Sequence, residues 1–332
     1  MKKVLFILLS IFALASCSQS ESSTILQQGN RDNKVDVSAK LHEVSTGDIL
    51  VSGSSRIGTA DENIFIVDYK SADHLMHIFD SKTLQHKKSV FYAGQGPEEI
   101  TIIGEVSYDT NGKRYLVPDH GKGKLLVFGE KELLENDESV PQKEYSLLQE
   151  CFPSQFVPLG NDEVLGIIVK PTSASTFNQF MAKYNMSSGV HQDYEFHPEI
   201  EKQRLHLAVA KEKDLCVLAH RNRDLLILTD LNGNFIREIQ GPDWGAEEAE
   251  KLHTFGHVVI TDDFIIASYS GKKSGKDDNP DQLLVFDLEG HYLKTLEIGH
   301  AILNICYNEY SQRIFMSLND EPQFVYLDIK DI

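Results

Sequence analysis

The sequence predicts an all-β fold, a six-bladed β-propeller with four strands in each blade. The main observation is a repeated unit, clearest at 282–298 (QLLVFDLEGHYLKTLEI), in which an apolar run, a turn and an alternating run follow one another. Close copies begin at Leu225 and Leu75, and weaker copies begin at Leu125, Phe180 and Phe324. The turns open at Asp80, Gly129, Asn185, Asp230, Asp287 and Asp328, which are separated by 49, 56, 45, 57 and 41 residues. Strand-turn-strand units that recur at this spacing are typical of propeller blades.

The amino terminus has the features of an export signal. Lys2 and Lys3 precede an apolar run at 4–15, which is too short to cross a bilayer as a helix. The following Leu14-Ala15-Ser16-Cys17 resembles the lipobox of bacterial lipoproteins, which implies removal of residues 1–16 and acylation of Cys17. An ordinary secretory signal that ends beside a cysteine is the alternative. The same resemblance, with Ser18 after the cysteine, favours the outer membrane and leaves open which side the protein faces.

The rest of the chain is interpreted as a tether and one domain. Residues 17–34 comprise the lipidated cysteine and a Ser/Gln/Asn-rich segment that is predicted to be a flexible tether. Residues 35–332 form one domain, because the repeat continues without a linker-like break. The net charge of −18 would repel nucleic acid, so nucleic acid is excluded as a partner. The expected membrane contact is the acyl anchor on Cys17.

Three further cysteines, Cys151, Cys216 and Cys306, lie far apart in or next to apolar segments. Their spacing matches no metal-binding motif, so no metal site is predicted from them. Buried thiols are the favoured interpretation, and one disulfide remains open for an exported protein. No pairing of a cysteine nucleophile with a histidine follows from these positions.

The predicted blades follow one another along the chain and leave one strand missing. They occupy 52–92, 105–148, 155–196, 204–240, 257–298 and 301–329. The last blade has only three strands, whereas 40–45 (KLHEVS) alternates like a strand before the first blade begins. We therefore predict that this amino-terminal strand completes the last blade and closes the ring, which removes open sheet edges.

A family resemblance agrees with this fold. The lipobox, the polar tether, the six blades and the segment Gly94-Gln95-Gly96-Pro97-Glu98-Glu99 together resemble the TolB-like, NHL-like six-bladed propeller lipoproteins of Gram-negative gut anaerobes. The resemblance implies the propeller fold and an envelope location, and it implies no particular activity. Gly94, Gly96, Pro97 and Glu98 could present backbone N–H groups to an anion, but a turn that needs Gly and Pro for its shape is the favoured interpretation.

The long predicted loops share one face of the propeller. We label the strands of each blade A to D from the centre outward and call the face with the B–C and D–A connections the loop face. The opposite face, with the A–B and C–D turns, is called the turn face. Positive or aromatic side chains in the long loops are candidates for binding an anionic or sugar-like ligand. They are Lys170, His220, Arg221, Arg223, Trp244, Lys272 and Lys273.

A second candidate set consists of one polar residue in or beside each A strand, where a central channel would be lined. These residues are Arg56, Glu105, Gln155, His206, His257 and Asn304. Together they could bind an anion, a sugar or a metal ion, and a hydrated channel without a ligand is the alternative. A calcium ion at the channel mouth is conceivable for such a fold, but no motif supports it, and no cofactor is predicted.

The favoured function is therefore a non-catalytic envelope lipoprotein that binds a small molecule, a glycan or a protein through the loop face. A metal-dependent hydrolase or lyase acting on a glycan or lactone at the channel mouth is one alternative. A structural subunit of an envelope complex is the other. The motifs assemble no catalytic residue set, and the same fold hosts both binders and enzymes.

Overall fold

The computed structural model describes residues 24–173, 175–200, 202–245 and 251–332. The predicted signal peptide and Cys17 lie outside the described residues. Three short strands come first, β1 (Ile25–Gln27), β2 (Lys34–Asp36) and β3 (His42–Glu43). Within the described residues, no helix is long and apolar enough to cross a membrane.

The remaining strands form the blades, each antiparallel and ordered from the channel outward. Blade one contains β4 (Ser55–Ala60), β5 (Asn63–Asp68), β6 (His74–Asp80) and β7 (His86–Tyr92). Blade two contains β8 (Ser107–Asp109), β9 (Arg114–Asp119), β10 (Lys124–Gly129) and, after the short helix α1 (Glu130–Glu135), β11 (Lys143–Ser146). Blade three contains β12 (Phe152–Gly160), β13 (Glu163–Pro171), β14 (Phe177–Asn185) and β15 (His191–Tyr194).

The second half continues the same pattern. Blade four contains β16 (Leu205–Ala210), β17 (Leu215–His220), β18 (Leu225–Thr229) and β19 (Phe235–Gln240). Blade five contains β20 (Leu252–Ile260), β21 (Phe264–Lys273), β22 (Gln282–Asp287) and β23 (Tyr292–Glu297). Blade six contains β24 (Ile302–Asn308), β25 (Arg313–Leu318) and β26 (Phe324–Asp328). The sheets confirm the predicted all-β, six-bladed propeller with four-stranded blades.

The core lies between blades because the middle strands are apolar on both faces. β5 and β18 are buried along their whole length, as expected for strands packed on either side. Within the described residues the buried side chains form six clusters, each shared by two neighbouring blades. One cluster joins blade six to blade one and contains Phe315, Phe324, Ile57 and Val44.

The predicted tether is wrong for residues 24–34, which lie against the propeller. β1 pairs in parallel with β19, and β2 pairs in parallel with β23, so blades four and five each carry a fifth strand. We call residues 24–36 the strap. Between its two strands, Arg31 forms a two-pronged ion pair with the buried Asp224, at 2.7 and 3.2 Å, and its guanidinium lies 4.7 Å from the centre of the Tyr269 ring. Polar composition alone had suggested a solvated segment, whereas the sheet edges supply backbone partners for it.

The segment predicted to complete the last blade is a strand over two residues. β3 pairs antiparallel with β26, with His42 opposite Tyr326 and Glu43 opposite Val325, and Val44 N–H donates to the Phe324 carbonyl at 2.9 Å. Lys40, the first residue of the predicted strand, belongs instead to a 3₁₀ turn, Ser38–Lys40.

The other predicted boundaries differ mainly at two A strands. The first strand of blade one is Ser55–Ala60 and begins three residues after the predicted start of the blade at residue 52. The first strand of blade five begins at Leu252, five residues before the predicted start at His257. His253 and His257 are therefore in one strand, and register shifts on both sides of Phe255 interrupt the simple alternation of side chains between them.

Candidate functional site

A central cavity of about 490 Å³ runs between the A strands. Five of the six predicted channel residues line it, namely Arg56, Glu105, Gln155, His257 and Asn304. The sixth, His206, lies next to them, because its ring centre is 4.2 Å from that of His257. All six lie before or in the A strands toward the loop face, whereas Val209, Ile260 and Tyr307 line the other end. The cavity therefore has a polar mouth on the loop face.

Two of these six residues join neighbouring blades. The Asn304 side-chain amide donates to the Ile57 carbonyl at 2.7 Å, and its oxygen accepts from Ile57 N–H at 3.4 Å. The Gln155 side-chain oxygen accepts from Leu207 N–H at 2.8 Å. These bonds link blade six to blade one and blade three to blade four. Both side chains therefore line the cavity and also hold neighbouring blades together.

The charged part of the mouth consists of Arg56, Glu105 and Tyr69. Enclosure within the ring raises the pKa of Glu105 to about 7, although a hydrogen bond from Gln155 and the charge of Arg56 oppose that shift. The carboxyl group keeps contact with solvent through the open channel. Enclosure also lowers the pKa of Arg56 and raises the pKa of Tyr69. The three groups are electrostatically coupled and titrate differently from free side chains.

Tyr69 was missed by sequence analysis. It directly follows β5, at the loop-face end of the strand that pairs with β4. That position places it beside Arg56 and in the cavity wall. Its position in a B–C loop could have indicated it. The prediction of channel residues, however, considered only polar residues in or beside the A strands.

Two imidazoles complete the mouth. Enclosure, together with the charges of the nearby Arg56 and Arg221, lowers the pKa of His257 to about 4. Enclosure also holds the pKa of His206 well below its usual value, with added repulsion from His257 and Arg221. Both rings are therefore neutral at physiological pH, and each offers one N–H donor and one ring acceptor.

The seven predicted loop residues do not form one site. Lys170 and His220 line a separate cavity of about 520 Å³ between blades three and four, together with Gln179, Asp193 and Gln203. His220 is buried, and burial lowers its pKa to about 3. Lys272 and Lys273 are exposed at the end of β21, where Lys272 pairs with Asp281 at 2.8 Å.

The remaining loop residues are engaged in contacts within the protein. Arg221 lies 3.9 Å from Asp278, whose carboxylate is 3.4 Å from His253. Arg223 is half-buried and donates to the Asn222 carbonyl at 2.9 Å. Trp244 packs against the core between blades three and four and meets the edge of the His197 ring, so this candidate for ligand binding is half-buried.

The glycine segment forms a self-contained turn. Gly96 N–H donates to the Glu99 carboxylate at 2.7 Å, so this N–H group is already occupied. A Cβ at Gly94 would lie 1.9 Å from the same carboxylate, which explains the glycine. Lys122 donates to the Gly96 and Glu99 carbonyls at 2.6 and 2.5 Å. These contacts support the interpretation of this segment as a turn that needs Gly for its shape.

The three cysteines are free thiols. Cys216 is buried, Cys306 is half-buried, and burial raises the pKa of both. The Cys151 sulfur lies 3.6 Å from His191 Nε2, while His191 Nδ1 lies 2.5 Å from Asp193. Sequence analysis had indicated no such pairing. Burial raises the pKa of Cys151, so this contact does not make it an activated thiolate.

Solved structures share the fold. A member of the DUF4221 family from Bacteroides vulgatus ATCC 8482 has a TM-score of 0.58 and 11% identity, over 86% of this chain and 94% of that one. A protein of Bacteroides fragilis NCTC 9343, predicted to be exported, has a TM-score of 0.54 and 11% identity, over 89% and 88%. Regucalcin, a calcium-binding protein of Agrobacterium tumefaciens C58, has a TM-score of 0.51 and 8% identity, over 92% and 94%.

Identities this low establish the fold and carry no residue roles. No protein of curated function matches the sequence. A family profile does match, across residues 32–310, which include the second strand of the strap and the ring as far as β24. The chain therefore belongs to the TolB-like 6-blade propeller-like family.

Proposed function

We propose that this protein is an exported, lipid-anchored propeller that binds a small anionic ligand, without catalysing a reaction, at the mouth of its central channel. The observation that supports this most directly is that the charges of Arg56 and Arg221 both act on His257. The ring of His257 contacts that of His206 at a tilt, with 4.2 Å between the ring centres, at the edge of the 490 Å³ cavity. The cavity has the size of sites for small molecules. Two guanidinium groups in a protein of net charge −18 create a local positive region that favours an anion.

The neutral imidazoles refine the class of ligand. They supply hydrogen-bond donors and acceptors beside the guanidinium groups, and Tyr69 adds an aromatic ring to the wall. A carboxylate on a polar ring, as in an acidic sugar, matches a site with positive, hydrogen-bonding and aromatic groups. We therefore take a hexuronate as the model ligand.

The donor set argues against the calcium-dependent alternative. Calcium takes six to eight oxygen ligands, with carboxylates prominent among them. Among the described residues that line the cavity, Glu105 is the sole carboxylate, and the groups that act on it are the Gln155 amide and the Arg56 guanidinium. A glycosidase mechanism would need a second carboxylate near the first.

Isothermal titration with D-galacturonate tests the proposal, with D-galactose as the uncharged match. The soluble chain from residue 24 onward should bind the acid and not the neutral sugar. Arg56→Ala should weaken binding by at least tenfold, about 1.4 kcal/mol, because it removes the charge at the cavity wall. Lys131→Ala, an equal charge change in α1 on the turn face, is the control and should change nothing.

Two results would overturn the proposal. One is an equal affinity of the parent chain for the acid and for the neutral sugar, or an equal affinity of Arg56→Ala and the parent chain for the acid. The other is turnover of a lactone or glycoside that Glu105→Gln abolishes, which would establish the enzyme alternative.

The anchor is tested separately. Its support is the lipobox at Cys17 together with the structural likeness to a Bacteroides protein that is predicted to be exported. Cys17→Ala should give full-length protein that no longer sediments with membranes, since the acyl chains are the proposed membrane-inserting group. Continued sedimentation of this variant with membranes would contradict the anchor without affecting the binding proposal.

A further inference from the structure

A second cavity, of about 520 Å³, opens on the loop face between blades three and four. We call it the side cavity. The ends of four strands form its wall, because β14 begins and β15 ends at this face in blade three, and β16 begins and β17 ends there in blade four. Among the described residues, none lines both the side cavity and the central cavity. The side cavity is therefore a separate place, and it has the size of sites for small molecules.

The floor of the side cavity is apolar. Met181 and Leu218 are 1% exposed, and three other lining side chains, Tyr194, Ile200 and Leu205, are buried as well. All five belong to the cluster that joins blades three and four. An apolar group of a ligand that reached this floor would leave water and gain packing partners, which favours binding.

One polar side chain is buried in this wall without a partner. His220 is the last residue of β17, opposite Leu205 of β16, and it is 2% exposed. Enclosure and the charges of His197 and Arg223 lower its pKa, so its ring is neutral at physiological pH. Neither ring nitrogen has a hydrogen-bond partner among the described residues. Because buried polar groups are normally satisfied, the open donor and acceptor of this imidazole indicate where a ligand would bind.

Two glutamines that line the same cavity offer further polar atoms. The Gln179 side-chain oxygen accepts from Leu205 N–H at 3.0 Å, which leaves its NH₂ group as a donor. The Gln203 NH₂ group donates to the Phe196 and His197 carbonyls at 3.0 and 2.9 Å, which leaves its oxygen as an acceptor. Neither open atom has another partner among the residues that the structure describes. The side cavity thus presents a donor, an acceptor and an imidazole above an apolar floor.

The charges at the edge of the side cavity balance one another. Lys170 and Lys202 are exposed there together with Asp193 and Glu195, so two positive groups face two negative ones. The channel mouth differs, because two guanidinium groups act on its imidazole. A charged ligand in the side cavity would have to bury its charge beside a neutral ring, whereas an uncharged ligand avoids that cost.

We propose that the side cavity is a second binding site, for an uncharged ligand with an apolar group next to an amide, as in an apolar residue of a peptide. The apolar group would lie on the floor, and the amide N–H and carbonyl would meet the open atoms of Gln203, Gln179 and His220. A sugar, with hydroxyl groups around its ring, would leave several of them unpaired against this floor. This inference does not depend on the acidic ligand proposed for the channel.

Isothermal titration of the soluble chain from residue 24 onward with N-acetyl-L-leucinamide tests the proposal. This probe should bind. N-acetylglycinamide, which lacks the apolar side chain, and N-acetyl-L-leucine, which has a carboxylate in place of one amide, should each bind roughly tenfold or more weakly. His220→Phe keeps an aromatic ring but removes both ring nitrogens, and it should weaken binding of N-acetyl-L-leucinamide by about tenfold.

A pair of tryptophan variants locates the site without changing a buried residue. Asn178→Trp places a large ring at the exposed edge of the side cavity and should abolish binding. Gln192→Trp is the matched control, because Gln192 is exposed in β15 outside the cavity lining, and it should leave the affinity unchanged. Melting temperatures show which variants are folded. If His220→Phe does not fold, the tryptophan pair still decides the location.

Four results would overturn the inference. The first is the absence of saturable binding of N-acetyl-L-leucinamide at millimolar concentrations. The second is an equal affinity of the parent chain for this probe and for N-acetylglycinamide or N-acetyl-L-leucine. The third is an equal affinity of the parent chain and a folded His220→Phe for N-acetyl-L-leucinamide. The fourth is an equal affinity of Asn178→Trp and Gln192→Trp for the same probe, which would place its binding elsewhere.

Discussion

At the scale of single residues, the most informative group is Glu105. A carboxyl group with a pKa of about 7 changes its charge within the physiological range, and enclosure of Glu105 within the ring is the main cause. The groups around it do not titrate there, because the pKa of His257 is about 4 and that of His206 is well below its usual value. Glu105 therefore controls the charge of the mouth near neutrality. Groups of this kind cluster at functional sites.

We predict that affinity for galacturonate falls as the pH rises through about 7. Below that value Glu105 is neutral and can donate a hydrogen bond to the ligand carboxylate, whereas above it the two carboxylates repel. The fall should be about tenfold or less, because solvent in the channel screens the repulsion. Titration calorimetry of the parent chain and of Glu105→Gln on both sides of neutrality measures it. An equal fall in Glu105→Gln would assign the effect to another group.

At the scale of elements, the strap shows how a polar segment becomes part of a fold. Ile25–Gln27 and Lys34–Asp36 add to the outer edges of blades four and five, and these edges would otherwise be open to pairing with other chains. The Arg31 charge between them is neutralised by Asp224 and covered by Tyr269. Since both partners are buried, removing one leaves an uncompensated charge inside the protein.

Arg31→Ala should therefore lower the free energy of unfolding by about 3–5 kcal/mol, because Asp224 loses its partner in a buried site. Urea denaturation of the soluble chain measures the loss. The double variant Arg31→Ala with Asp224→Asn should recover part of it, since the orphaned charge is gone. An effect below about 1 kcal/mol, as for an exposed pair, would show that the strap is not held as described.

The loop from Gly94 to Glu99 illustrates the opposite case, in which a motif that could have been functional is structural. Gly94→Ala should displace the Glu99 carboxylate from Gly96 N–H and cost about 1 kcal/mol, the value of one hydrogen bond. Gly53→Ala is the control, because a Cβ there meets nothing within 4 Å. Equal melting temperatures for the two variants would contradict this account of the turn.

At the scale of the whole molecule, stability depends on contacts between the ends of the ring. Blade six contacts blade one through a buried cluster and through the bonds of Asn304 to Ile57. The fourth strand of the blade six sheet comes from His42–Glu43. Each blade buries its apolar faces only against its neighbours, so a gap in the ring would expose two faces at once.

A truncation series separates the strap from β3. The chain that begins at residue 24 should be the most stable, and the chain that begins at 37 should melt at a lower temperature because the strap is lost. The chain that begins at 46 should lose cooperative unfolding or aggregate, because the edge of β26 is exposed as well. Thermal unfolding and light scattering measure the three. Identical melting temperatures for the chains that begin at 37 and 46 would show that β3 contributes nothing.

The sequence by itself determined the architecture, because strands and their repeats are recorded in local patterns. Apolar runs, turn residues and the recurrence of the unit predicted six blades, and the B, C and D strands lie close to their predicted positions. Five of the six polar residues chosen in or beside the A strands line the central cavity, although register shifts beside Gln155, His257 and Asn304 interrupt simple alternation along these strands.

Only the tertiary structure decided which of these side chains are engaged elsewhere. Asn304 meets Ile57 across 247 residues of chain, and Arg31 meets Asp224 across 193, so no local pattern records either pair. The strap looked like a tether because its partners are backbone groups of distant sheet edges. The loop residues looked like one site because they share a face, but ion pairs and packing between blades divide them. Contacts of this kind exist only once the ring brings distant blades together, and for that reason they could not be predicted from the sequence.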